Sequence, residues 1–187
     1  MNKRAYFDWN ATAPLREVSK AAMTQAMSNF GNPSSIHTEG RKAKAIIETA
    51  RIQIAEAFGA GNSDIIFTSG ATEAAAIALR TREIECAGVE HPCILSNCVE
   101  NLSTDGNGQI LISKAQCSTM QSANSETGIL QNIPAGVFLS DFVQSFGKIP
   151  SSFYWSDVMS GILSAHKIGG PKGVGAVFIK RRFPKIK

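Results

Sequence analysis

The sequence predicts an α/β fold, a mostly parallel sheet with flanking helices. Three observations predict it. Ile65-Ile66-Phe67-Thr68 reads as a short buried strand that passes through Ser69-Gly70 into the helix-forming run Ala71 to Leu79, a strand-turn-helix unit. Ionisable side chains fall at the ends of further strands, where open α/β sheets keep their binding crevice. The 187 residues, 43% hydrophobic and 18% charged, have the composition of one globular domain with its own core.

The elements follow in order. From about Gly40 to Phe58, apolar Ile47, Ala50, Ile54 and Phe58 recur at steps of three and four, and Gly59-Ala60-Gly61 follows as a stop signal. This spacing predicts an amphipathic helix. After the strand at 65–68, the Gly70 turn leaves backbone N–H groups free at a helix start, where the macrodipole also favours an anion. The turn is a candidate phosphate seat, although it carries neither a dinucleotide GxGxxG nor a P-loop pattern. Ile84 to Val89 reads as a strand ending at Glu90-His91-Pro92, and Val137 to Ser140 as another ending at Asp141. Ile162-Leu163-Ser164 runs into Ala165-His166-Lys167, and Gly169 to Gly173 then turns the chain into a strand at Gly175–Ile179. No repeat or linker divides the chain, so residues 1–187 read as one domain.

Each ionisable residue has a plain alternative. His91 can satisfy a turn, Asp141 can cap a helix over Phe142-Val143-Gln144, and Lys167 can be a surface amine. Together they offer a phosphate seat, an aromatic partner for a ring, a carboxylate and an amine, which is what a pyridoxal phosphate site needs.

Charge and cysteine usage exclude other classes. The net charge is +4, but five of the 19 basic residues (Lys180, Arg181, Arg182, Lys185, Lys187) lie in the last eight positions, leaving 14 basic against 15 acidic elsewhere. A solvated tail on a nearly neutral body is expected, with no nucleic acid partner. No run of 18 apolar residues and no apolar segment after Met1-Asn2-Lys3-Arg4 is present, so neither a membrane span nor a secretory signal is read, and a cytoplasmic location is expected. Cys86, Cys93, Cys98 and Cys117 form no CxxC pair, and His91, Cys93 and Cys98 match no common zinc spacing. Buried thiols are expected.

Six blocks resemble the cysteine desulfurases, pyridoxal phosphate enzymes of the class V aminotransferase family with fold type I. They are Tyr6 to Pro14, Gly31 to His37 with Gly40-Arg41, Phe67 to Glu73, Glu90-His91-Pro92, Asn124 to Gln131 with Asp141 to Pro150, and Ser164 to Gly175. The resemblance implies the large cofactor-binding domain of that fold and pyridoxal 5'-phosphate as cofactor. By position, Lys167 would be the Schiff-base lysine and His91 the residue that stacks on the pyridine ring and moves protons. Asp141 would pair with the ring nitrogen and Gln144 with the ring hydroxyl, while Ala71, Thr72, Ser164 and His166 would hold the phosphate. The implied reaction removes sulfur from L-cysteine, giving alanine and a persulfide for iron-sulfur cluster assembly or thiolation. Sulfur-acceptor or scaffold proteins and a homodimer are the implied partners.

The chain also departs from this pattern. The family is roughly twice as long, and its small C-terminal domain, with the catalytic cysteine loop and the arginine for the substrate carboxylate, has no counterpart here. Ser125 stands where a second Asn is usual. Only about a dozen residues separate Glu126 from Leu139, too few for a full crossover helix. The alternative to an active desulfurase is therefore a non-catalytic remnant or interaction module.

Overall fold

A computed structural model describes residues 4–80 and 82–181. The chain runs through α1 (Glu17–Met27), α2 (Thr38–Ala57), β1 (Ser63–Thr68), α3 (Ala71–Leu79), β2 (Glu85–Ala87), α4 (Pro92–Leu95), β3 (Val99–Thr104) and β4 (Ile110–Leu111). It continues through β5 (Thr119–Gln121), β6 (Leu139–Asp141), α5 (Phe153–Ser156), β7 (Ser160–Ser164) and β8 (Gly175–Lys180). The main sheet has the order β1-β8-β7-β6-β5. β5, β6 and β7 pair in parallel, and β8 runs antiparallel to both β7 and β1, so four of its five strands point the same way. A smaller sheet, β2-β3-β4, adjoins it through a parallel bridge between Glu85 and Ser118.

Alternation along the central strands divides the core. On β7 and β8, Leu163, Ala176 and Phe178 join one cluster, while Ile162 and Val177 join the other. The second cluster is closed by Ala74, Ala75 and Leu79 of α3 and by Ile94 of α4. The first is closed largely by aromatic side chains from loops and the short α5, with Ile54 and Ala55 of α2 packed against it. Phe58, at the end of α2, is fully buried with Phe142, Phe146, Phe153 and Phe178 around it, at centroid distances of 5.0, 5.0, 5.9 and 5.2 Å. These rings cover a face where crossover helices would otherwise lie. The connection from β5 to the parallel β6 holds no helix among the described residues, and that from β6 to β7 holds only the four-residue α5.

Several sequence expectations are corrected here. The 65–68 strand is half-buried at a sheet edge: Asp64 and Ile66 face outward while Ile65 is buried. The strand expected over 84–89 is only β2, and β3, β4 and β5 were not anticipated. No helix follows Asp141; residues 143–148 form turns. Cys86 and Cys93 are buried, but Cys98 is half-buried and Cys117 exposed. In the basic tail, Lys180 pairs with Asp157, and Arg181 Nη2 lies 2.6 Å from Asp64 Oδ1, so neither is a free solvated charge. Arg182, Lys185 and Lys187 lie outside the described residues. α2 forms as the spacing predicts, yet Ile46 and Ile47 remain 41% and 37% exposed.

Candidate active site

Strand ends, the start of α3 and an N-terminal strap enclose one cavity of about 570 Å3. Ala71, Thr72, His91, Asp141, Gln144, Ser164, His166 and Lys167 all line it. Residues far apart in sequence meet because β6 and β7 run parallel and end at the same edge, beside the turn that opens α3.

The seat at α3 is built from backbone. Ala74 N–H is the first to close the helix, donating to Gly70 O at 3.1 Å, so the N–H groups of Ala71 and Thr72 belong to the open first turn. Glu73 folds back, its Oε2 accepting the Ser69 N–H at 2.6 Å, and this bond holds its carboxyl below the usual range. Gly175 lets β8 pass beneath the turn: a Cβ there would lie 2.6 Å from the Gly70 backbone. Ser164 and His166 approach from the far side, with His166 Nδ1 3.1 Å from Thr12 Oγ1. Burial, then the charges of Lys167 and Lys172, push the His166 imidazole below its ordinary value and favour the neutral ring.

Asp141 ends β6 and is nine-tenths buried. Its Oδ1 accepts the Val143 N–H at 2.8 Å, a turn where the sequence suggested a helix cap, and Oδ2 has no partner among the described residues. Burial pushes this carboxyl up, while the Val143 N–H, His91 and Lys167 oppose the shift. His91 caps α4, with Nδ1 accepting the Cys93 N–H at 3.2 Å.

Lys167 Nζ donates to the carbonyls of Asn10 (2.8 Å) and Ala11 (3.0 Å). The strap that supplies them is itself tied down. Gln144 Nε2 donates to Asn10 O at 2.9 Å, and Lys148 Nζ donates to Gln144 Oε1 and, at 3.3 Å, to Asn10 Oδ1. Ala13 N–H reaches His166 O, and Arg16 N–H reaches Gly169 O, both at 2.9 Å. Gln144 thus lines the cavity with its amide already engaged.

Sequence reasoning missed Thr12, Cys93, Gln121 and Lys172, which also line the cavity. Thr12 and Lys172 lie within blocks already singled out, but Gln121 ends a strand too short to recognise. It missed Glu90 as well. This residue is 4% exposed; its Oε1 accepts the Gln121 N–H at 2.9 Å and the Thr119 hydroxyl at 3.3 Å, and Oε2 has no partner among the described residues. Burial first, and the nearby Asp141 carboxylate second, push its pKa from 4.5 to about 8.

The Glu90 shift gives a pH prediction. Between 4.5 and about 8 the unfolded chain has released this proton and the folded chain keeps it, so stability falls as pH rises through that window and levels off above it. The upward shift of Asp141 acts in the same direction. Melting curves should show Tm declining across this range, and the neutral isostere Glu90→Gln should flatten the decline. An undiminished decline in Glu90→Gln would contradict the assignment.

The family model for aminotransferase class-V matches residues 5–185. The chain belongs to this family. It is 35% identical to a cysteine desulfurase of Trichormus azollae, over 94% of this chain and 53% of that protein. Among solved structures, a NifS-like protein from Rickettsia africae superposes with a TM-score of 0.83 at 29% identity, covering 97% of this chain and 60% of that one. A structure titled SspA in complex with cysteine matches with a TM-score of 0.81 at 26% identity, covering 94% and 61%. This class V chain spans about half the length of the curated relatives it matches. The alignment to the Trichormus protein runs over 211 positions, more than the 187 residues available, so that relative carries residues inside the matched region that are absent here. The helix-free connection between β5 and β6 fits such shortening. Among the described residues, no helix is long and apolar enough to cross a membrane.

Proposed function

We propose that this chain binds pyridoxal 5'-phosphate covalently through Lys167 and is the cofactor-binding part of a protein that takes sulfur from L-cysteine, leaving alanine. One observation carries the reading: a buried Asp141 with an unpartnered oxygen lines the same cavity as the Lys167 amine and the open first turn of α3. The donor set fits the cofactor, with N–H groups for a phosphate, a carboxylate for a ring nitrogen and an amine for attachment. Bound there, the cofactor supplies an electron sink for charge developing at the substrate Cα.

The chain's own residues do the rest. The N–H groups of Ala71 and Thr72 would hold the phosphate, with Ser164 and a neutral His166 closing the seat. Asp141 would keep the ring nitrogen protonated, His91 would face the ring and move protons, and Gln144 would serve the ring hydroxyl. The strap carbonyls of Asn10 and Ala11 keep the Lys167 amine at the cavity wall until it is used. The relatives' names, cysteine desulfurase and SspA in complex with cysteine, support cysteine as substrate; iron-sulfur assembly or thiolation proteins are the acceptors that the family resemblance implies. Phe7, Phe30 and Ile36, which are 90%, 81% and 89% exposed, support burial against another surface, here a second copy of the chain.

A second reading, cofactor binding without sulfur transfer, is favoured by the thiols. Of the four cysteines only Cys93 lines the cavity, and burial, Asp141 and Glu90 push its pKa up to about 12. It is therefore no thiolate nucleophile at neutral pH. Added pyridoxal phosphate should give the purified chain an absorbance band that moves with L-cysteine, while alanine release stays at background. No band would refute the cofactor site; alanine release abolished by mutating one of the four cysteines would refute the second reading.

A further inference from the structure

We propose that Cys93 is a positioning residue for His91: its backbone N–H and its thiol both donate to His91 Nδ1, fixing the neutral imidazole with its proton on Nε2. The inference rests on reading His91 as the proton-moving residue of the cavity. Nδ1 lies 3.2 Å from Cys93 N and 3.0 Å from Cys93 Sγ, while Nε2 has no partner among the described residues. With two donors on Nδ1, the ring proton is left to Nε2.

A cysteine beside a histidine can instead be a thiolate-imidazolium nucleophile. The surroundings decide against it. The side chain is buried, only 5% exposed, and the charges of Asp141 and Glu90 both disfavour a thiolate. The proton stays on sulfur, which then acts as a donor. His91 consequently meets a ligand as an Nε2–H hydrogen-bond donor. The sequence spacing His91-Pro92-Cys93 produces this locally, because Pro92 starts α4 and turns the next N–H back onto the ring.

The test uses the full chain without cofactor, labelled with 15N-histidine, at a pH where the rings are neutral. Only His37, His91 and His166 contribute, and His91→Gln identifies the signals. The wild type should give an unprotonated Nδ1 and a protonated Nε2 for His91. Cys93→Ala should shift the tautomer ratio toward Nδ1–H roughly two- to tenfold, the worth of one hydrogen bond, and Cys93→Ser should restore it. An Nδ1–H wild type, an unchanged ratio in Cys93→Ala or no rescue by Ser would overturn the proposal. Alkylation of the wild type gives a check free of mutation: Cys93 should react far more slowly than exposed Cys117 near neutral pH, and faster reaction would overturn it. Failure to bind pyridoxal phosphate would count against the proposed function and leave these ring measurements standing.

Discussion

Phe58→Ala should destabilise the chain by about 3–5 kcal/mol, the cost of emptying a buried aromatic site. Phe58 is fully buried at the hub of four other rings, three of them in edge-to-face geometry. Such pairs contribute beyond the buried area itself. The loss falls where the fold has least to spare, since loop and short-helix aromatics cover a sheet face that long crossover helices do not. For a chain of this size each kcal/mol lowers Tm by roughly 2–4 °C, so a fall of roughly 6–20 °C is expected. Phe58→Leu, which keeps most of the volume, should lose markedly less. A shift under about 1 kcal/mol for the Ala variant would mean that the aromatic cluster does not hold this face.

Lys167→Ala should abolish covalent retention of pyridoxal phosphate while leaving the fold nearly intact. The side chain is half-buried, and the only hydrogen bonds of its amine among the described residues go to the two strap carbonyls. Removing them costs about 1 kcal/mol, a few degrees of Tm. The phosphate seat and Asp141 remain, so weak reversible binding should persist in a titration and be lost on dialysis, whereas the wild type keeps its cofactor. Lys148 and Lys172 stand near the cavity as competing amines, which makes the comparison informative: Lys148 is tied to Gln144 and Asn10. Undiminished retention in Lys167→Ala would transfer the attachment role to another lysine.

The sequence makes the site more legible than the fold around it. Asp141, Ser164 and Lys167 can be read because each sits at or just after the end of a strand whose apolar residues stand out, as in Ile162-Leu163-Ser164. β5, with three residues, carries no such signal, and its placement depends on partners: Gln121 becomes a cavity residue only because β5 registers it against Asp141. Glu90 and Cys93 escaped for the same reason, their chemistry being set by burial beneath strands distant in sequence. The periodicity of α2 announces a helix but not its cover, and Ile46 and Ile47 stay outside the core. The alternative of a helix cap at Asp141 gives way to a turn, because the 2.8 Å bond to Val143 N–H is satisfied within the turn itself.

The central claim, that this cavity holds pyridoxal phosphate on Lys167, is tested most directly by borohydride reduction of the cofactor-treated chain and peptide mapping by mass spectrometry. The pyridoxyl group is expected on Lys167 alone. Its recovery on Lys148, Lys172 or any other lysine, or on no peptide at all, would contradict the account.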